Sequence, residues 1–133
     1  MIKVVLDTNI IISSIFWKGA PYDVVKKGLL GEYQLVTSPE ILDEIVSKLR
    51  NKFSFPEENI QKLVDTVLRF STVIEPVSKI DVVRDKDDNK VIECAVDGNV
   101  NYIVTGDPDL LELKEFEKIL IVNSRTFLEK IKK

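Results

Sequence analysis

With 133 residues, 44% of them apolar, and a net charge of -3, the chain has the size of one soluble domain covering 1–133. Its apolar runs, such as 10–12, are too short to cross a bilayer. The acidic balance gives no overall attraction to a polyanion, and the absence of histidine excludes hydrolases built on a Ser-His-Asp or Cys-His nucleophile. The lone Cys94 excludes an internal disulfide and, without histidine, leaves the familiar zinc sites without ligands.

In chain order, residues 2–6 form a short run rich in β-branched side chains that predicts a strand starting at once, with no secretory leader, so a cytoplasmic location is expected. Asp7, Thr8 and Asn9 favour caps and turns, and the apolar stretch 10–17 after them predicts a helix, broken at Gly19, Ala20 and Pro21. From Tyr22 the spacing of Val24, Val25, Leu29 and Leu30 is helical, with Gly31 as the stop. Residues 33–36 predict a second strand. Ser38 before Pro39 then caps a helix whose apolar stripe is Ile41, Leu42, Ile45, Val46 and Leu49.

A further helix is expected from Pro56, carrying Ile60, Leu63, Val64, Val67, Leu68 and Phe70, followed by a third strand at 72–75. The charged loop 84–90 leads into a helix marked by Val91, Ile92, Ala95 and Val96 and ending near Gly98. A fourth strand is expected at 102–105, ending at Gly106, Asp107 and Pro108. A fifth follows at 119–122, and Ser124 caps a last helix through Leu128 and Ile131. Strands alternating with helices predict an α/β fold with a mostly parallel sheet of about five strands between helical layers, and in such sheets ligands bind beyond the carboxyl ends of the strands.

That edge is where the acids fall. Asp7 closes the first strand and Asp107 lies just past the fourth. Glu44 sits one turn beyond Glu40 on its helix, and Asp88 stands in the acidic loop. Converging carboxylates repel unless some stay protonated or a cation compensates them. Hard oxygen ligands suit Mg2+ or Mn2+, which also recruits phosphate to an acidic pocket and activates water.

Each feature also has a plain explanation. Asp7, Thr8 and Asn9 are by themselves an ordinary helix cap, and Glu40 and Asp43 suit a helix N-terminus. Asp85, Asp87 and Asp88 suit a solvated loop in which one or two at most touch metal, and Asp109 is a turn residue, a cap or an outer ligand. Lys18, Lys26, Lys27, Lys48, Arg50 and Lys52 line an RNA path or simply face solvent. Phe16 and Trp17 stack on a base or pack in the core or a dimer.

Taken together, four motifs carry a resemblance: Val5 to Ile10 (VLDTNI), Ser38 to Glu44 (SPEILDE), Asp85 to Asn89 (DKDDN) leading to Ala95, and Tyr102 to Leu110 (YIVTGDPDL). In order and spacing they resemble the PIN-domain family, especially the toxin components of toxin-antitoxin pairs, over essentially the whole chain. The resemblance implies a Rossmann-like three-layer fold and a metal-dependent ribonuclease. Asp7, Glu44, Asp88 and Asp107 match the acidic ligands, with Asn9 and Thr105 supporting them by hydrogen bonds. It also implies an RNA substrate, an antitoxin partner and a homodimer.

Asp88 is preferred over Asp85 and Asp87 for its distance to Ala95. A catalytically silent module of the same fold, binding RNA or protein, is the alternative. Phosphotransfer folds with an aspartate after the first strand fit less well. The dehalogenase type needs an aspartate where Asn9 stands, and a receiver needs a lysine where Asn123, Ser124 and Arg125 stand.

Overall fold

The computed structural model describes residues 1–132; Lys133, the last residue of the expected 1–133 domain, lies outside the described residues. The first strand, β1 (Lys3–Leu6), is buried from Val4 onward, as expected of a strand with neighbours on both sides and helices over its faces. Asp7 ends it and caps helix α1 (Thr8–Phe16). Helix α2 (Ala20–Leu29) begins earlier than the sequence predicts, with Pro21 inside its first turn rather than before it. The first helical N–H groups need no partner within the helix, so proline is tolerated there.

Strand β2 (Gln34–Thr37) leads into α3 (Pro39–Asn51), whose N-terminus is closed by the Ser38 hydroxyl accepting from the Ile41 N–H at 3.3 Å. Helix α4 (Glu57–Phe70) runs straight into β3 (Ser71–Val73), which is shorter than the predicted 72–75 strand and starts one residue before it. Then come α5 (Lys86–Asp97), β4 (Tyr102–Val104), α6 (Pro108–Leu113), β5 (Glu115–Phe116), β6 (Ile119–Val122) and α7 (Ser124–Lys130).

The sheet has six strands in the order β3-β2-β1-β4-β6-β5. All neighbours are parallel except β5 with β6, so the predicted parallel sheet carries one additional antiparallel edge. That edge is a hairpin whose turn residues Glu117 and Lys118 both have positive φ, the twist a tight β-turn demands but which non-glycine residues seldom adopt. Two residues are too few for any alternation to register in sequence, and β5 is therefore absent from the prediction.

The chain steps outward from β1 through β2 to β3, then returns to β4 on the other side of β1. The order thus reverses between β1 and β4, and the crevice beyond their carboxyl ends is the natural ligand position of such sheets. Helix α5 packs across β1, β2 and β4, while α1 packs against α2 and α3. Phe127 of α7 is fully buried between the rings of Tyr33 and Tyr102, at 5.2 and 5.4 Å.

Residues 77–83 have no regular structure, and side chains from one face of α5 hold them. The backbone N–H groups of Val77 and Ser78 donate to Asp97 Oδ2 at 2.6 and 2.9 Å, and that of Ile80 donates to Glu93 Oε2 at 2.9 Å. Those of Val82 and Val83 donate to Asn89 Oδ1 at 3.0 and 3.1 Å, while Asn89 Nδ2 donates back to the Val83 carbonyl at 3.0 Å. Asn89, Glu93 and Asp97 recur every four residues and so project along one stripe of the helix. This strap takes the place of a strand ladder and delivers the chain to the start of α5, where acidic residues cluster.

Candidate functional site

Asp7 is held at the switch point by local and long-range bonds. Its Oδ1 accepts from the Thr8 N–H at 2.8 Å, as an N-cap side chain should. Its Oδ2 accepts from the hydroxyl of Thr105, the residue just past β4, at 2.7 Å. The Asp7 N–H donates to the Val104 carbonyl at 2.9 Å. The same Thr105 oxygen accepts the Asp107 N–H at 3.0 Å, so one buried hydroxyl joins two acids that lie far apart in sequence. Asp107 caps α6 through a 2.8 Å bond from the Asp109 N–H to its Oδ1, which turns Asp109 toward the same edge.

Asp88 comes from the first turn of α5 and is only 7% exposed. One carboxylate oxygen each from Asp88, Asp107 and Asp109 lie within 4.8 Å of one another. Asp88 Oδ2 is buried with no hydrogen-bond partner. Burial raises the Asp88 pKa to about 7, reinforced by the charges of Asp107, Asp7 and Asp85. Asp7, 5% exposed, is raised by burial against the opposing pull of its bonds to Thr105 and Thr8, and the charges of Glu44 and Asp107 raise it further. Acids that resist ionisation because they crowd together, one with an orphaned oxygen, form the donor set that a divalent cation completes. The residues present therefore fit such an ion.

The remaining predicted residues take other positions. Glu44, on α3, lies outside the group of three, as Asp7 does, and its Oε1 pairs with Lys48 Nζ at 3.2 Å. Lys48 Nζ also donates to Asn9 Oδ1 at 3.3 Å, so the bond Asn9 makes is to that lysine and not to Asp7. Asp85 is exposed and caps α5 by accepting the Asp87 N–H at 2.9 Å, while its charge acts on Asp88. The structure thus brings Asp109 into the tight group and leaves both Asp7 and Glu44 outside it, Asp7 joined to Asp107 through Thr105 and Glu44 near enough for its charge to act on Asp7.

From sequence Lys48 is only one of six basic residues on an RNA path or a solvated face, and Asn89 only the last residue of the Asp85–Asn89 motif. The four-residue step from Glu44 to Lys48 was available as a signal, whereas the partners of Asn89 exist only once the strap is folded. Cys94 is buried and its thiol is pushed up to about 12, which leaves it protonated and outside this chemistry. A separate cavity of about 60 Å³, lined by Leu6, Ile11, Leu35 and Leu63 among others, contains none of these acids.

The PIN domain family model matches residues 3–109, a span that includes the first three motifs and all of the fourth but Leu110. The chain belongs to the PIN-domain family. An uncharacterized protein of Methanocaldococcus jannaschii, MJ1680, is 37% identical over 130 aligned residues, covering 92% of this PIN domain chain and 82% of the relative. The solved structure of VapBC2 from Rickettsia felis bound to a DNA fragment from their promoter superposes with a TM-score of 0.65. It is 17% identical and covers 92% of this chain and 98% of its own, a likeness of fold. Among the described residues no helix is long and apolar enough to cross a membrane.

The crowding has a pH signature in the chelated protein. Above the ordinary aspartate value of 3.8, the unfolded chain releases the Asp88 proton, while the folded protein keeps it up to about 7. Across that window the native state binds more protons, so stability falls as pH rises, and the loss is complete above it. Asp7 acts in the same direction. The melting temperature of chelated protein should be higher at about pH 5 than at about pH 8, with Mn2+ closing the gap at the higher pH. A chelated protein that melts at the same temperature at both pH values would contradict the crowding, and a gap that Mn2+ leaves unchanged would contradict the metal site.

Proposed function

We propose that this PIN domain is a metal-dependent endoribonuclease of the cytoplasm, in which Asp7, Glu44, Asp88 and Asp107, joined by Asp109, form the catalytic centre. The observation that carries this reading is the buried, partnerless oxygen of Asp88 beside Asp107 and Asp109 at the sheet's switch point. Asp7, Asp88 and Asp107 would hold Mg2+ or Mn2+, with Asp109 beside them. When bound, the ion supplies positive charge for the scissile phosphate and acidifies water.

The chain's own groups do the positioning. Thr105 and the Thr8 N–H each engage one oxygen of Asp7, which fixes the carboxylate and its remaining lone pairs without a rotamer search. Asp107 is fixed in the same way by the N-terminus of α6. Glu44, paired with Lys48, would accept the proton of the water that attacks phosphorus. Asn9 steadies the lysine that steadies Glu44. A toxin role, with an antitoxin protein as partner and a homodimer as the working form, extends the same reading.

The direct test is cleavage of labelled RNA by protein stripped with a chelator and then resupplied with metal. Products should form only after Mn2+ or Mg2+ returns. Cleavage that persists in excess chelator would refute the metal requirement. Absence of cleavage on single-stranded and structured RNAs alike would favour the silent binding module.

A further inference from the structure

The far end of α1 from Asp7 carries an aromatic surface that the chemistry above does not use. Phe16 ends α1, and its ring centroid lies 4.9 Å from that of Phe53, 5.7 Å from Phe55 and 5.8 Å from Trp17. Trp17 is 63% exposed, although an indole of that size gains much from burial. Lys52 Nζ stands 5.9 Å from the centre of the Phe53 ring, and Lys18 follows Trp17 in the chain.

The cluster is connected to the acids through α3. Glu44 and Lys48 stand four residues apart on that helix and are paired, and Lys52, four residues further on, is its C-cap. Two lysines therefore link the carboxylates to the rings, over about 12 Å.

Aromatic faces interleaved with lysines fit an unpaired nucleic-acid strand, whose bases stack and whose phosphates need cations. A second copy fits less well, because a two-fold contact through this patch would gather Lys18 and Lys52 of both copies, four like charges, in one interface. We propose that Trp17, Phe16 and Phe53, with Lys48 and Lys52, form a subsite that holds unpaired nucleotides of the RNA beyond the scissile bond. This rests on the nuclease reading and adds to it the residues that grip the strand away from the acids.

Trp17 is the chain's single tryptophan, so its emission reports on the subsite alone. Wild-type protein kept uncut by a chelator is titrated with single-stranded oligoadenylate and, separately, with an RNA duplex. Saturable quenching by the single strand and not by the duplex is expected. Trp17→Ala and Lys52→Ala should each weaken oligoadenylate binding, measured by anisotropy of a labelled strand, by about tenfold, and Trp17→Phe should restore most of the loss.

In cleavage assays the same variants should raise KM and leave kcat and Mn2+ affinity in place. Unchanged emission, equal quenching by duplex, or an emission maximum that shifts with protein concentration because a second copy covers Trp17 would each overturn the proposal. Asp7→Asn separates the two readings. If it abolishes cleavage while wild-type quenching is absent, the nuclease stands and the subsite falls; if it cuts normally while quenching persists, only the nuclease assignment fails.

Discussion

On the proposed function, Asp7→Asn should reduce metal-dependent RNA cleavage by about a hundredfold or more, while the melting temperature of the chelated protein should hold or rise. Loss of even an outer-shell group around a metal costs about 10–100-fold, and the proposed centre gives Asp7 a direct contact with the ion. Asparagine is as good an N-cap as aspartate, so its side-chain oxygen can still accept the Thr8 N–H. Its amide then faces the Thr105 hydroxyl, which can accept a hydrogen bond as readily as donate one. What disappears is a negative charge that burial and the charges of Glu44 and Asp107 already disfavour. Activity and stability should therefore part company, and a variant that cut at the wild-type rate would remove Asp7 from the centre.

Asn89→Ala should do the reverse, lowering stability and loosening the site together. Its side chain satisfies the N–H groups of Val82 and Val83 and the carbonyl of Val83. Leaving a buried backbone group without a partner costs about 1–3 kcal/mol, and solvent can reach only part of this segment, so a total of about 3 kcal/mol is expected in denaturant unfolding. Because the strap it anchors leads through Arg84 and Asp85 into the first turn of α5, which carries Asp88, Mn2+ affinity should fall as well. Unchanged unfolding free energy in Asn89→Ala would show that the strap does not depend on this residue.

The contrast between Asp7 and Asn89 reflects what a sequence can express. Asp7 announces its place because a β-branched run stops there and a capping triplet begins, and Ser38 before Pro39 marks the start of α3 in the same way. These are local patterns, set by backbone sterics and by the unsatisfied N–H groups of a helix start. Asn89, Glu93 and Asp97 instead read as the polar face of an amphipathic helix. Only folding brings residues 77–83 across them, and nothing in their spacing separates a solvated stripe from one that binds a strap.

Helix α6 and strand β5 are hidden for a related reason, being six and two residues long, shorter than the windows over which periodicity is readable. That has a direct consequence at the site. The placement of Asp109 beside Asp88 and Asp107 depends on the turn of α6, so the sequence reading assigns it only a secondary role. Glu44 shows the opposite case, with a position legible on α3 and a partner, Lys48, that sequence reading treats as one exposed lysine among several.

Anomalous scattering from a manganese-soaked crystal tests the central claim most directly. The convergence of Asp7, Asp88 and Asp107 predicts an ion peak with oxygen ligands from these residues, Asp88 Oδ2 among them, at the edge between β1 and β4. A peak elsewhere on the surface, or none at a concentration that supports cleavage, would contradict it.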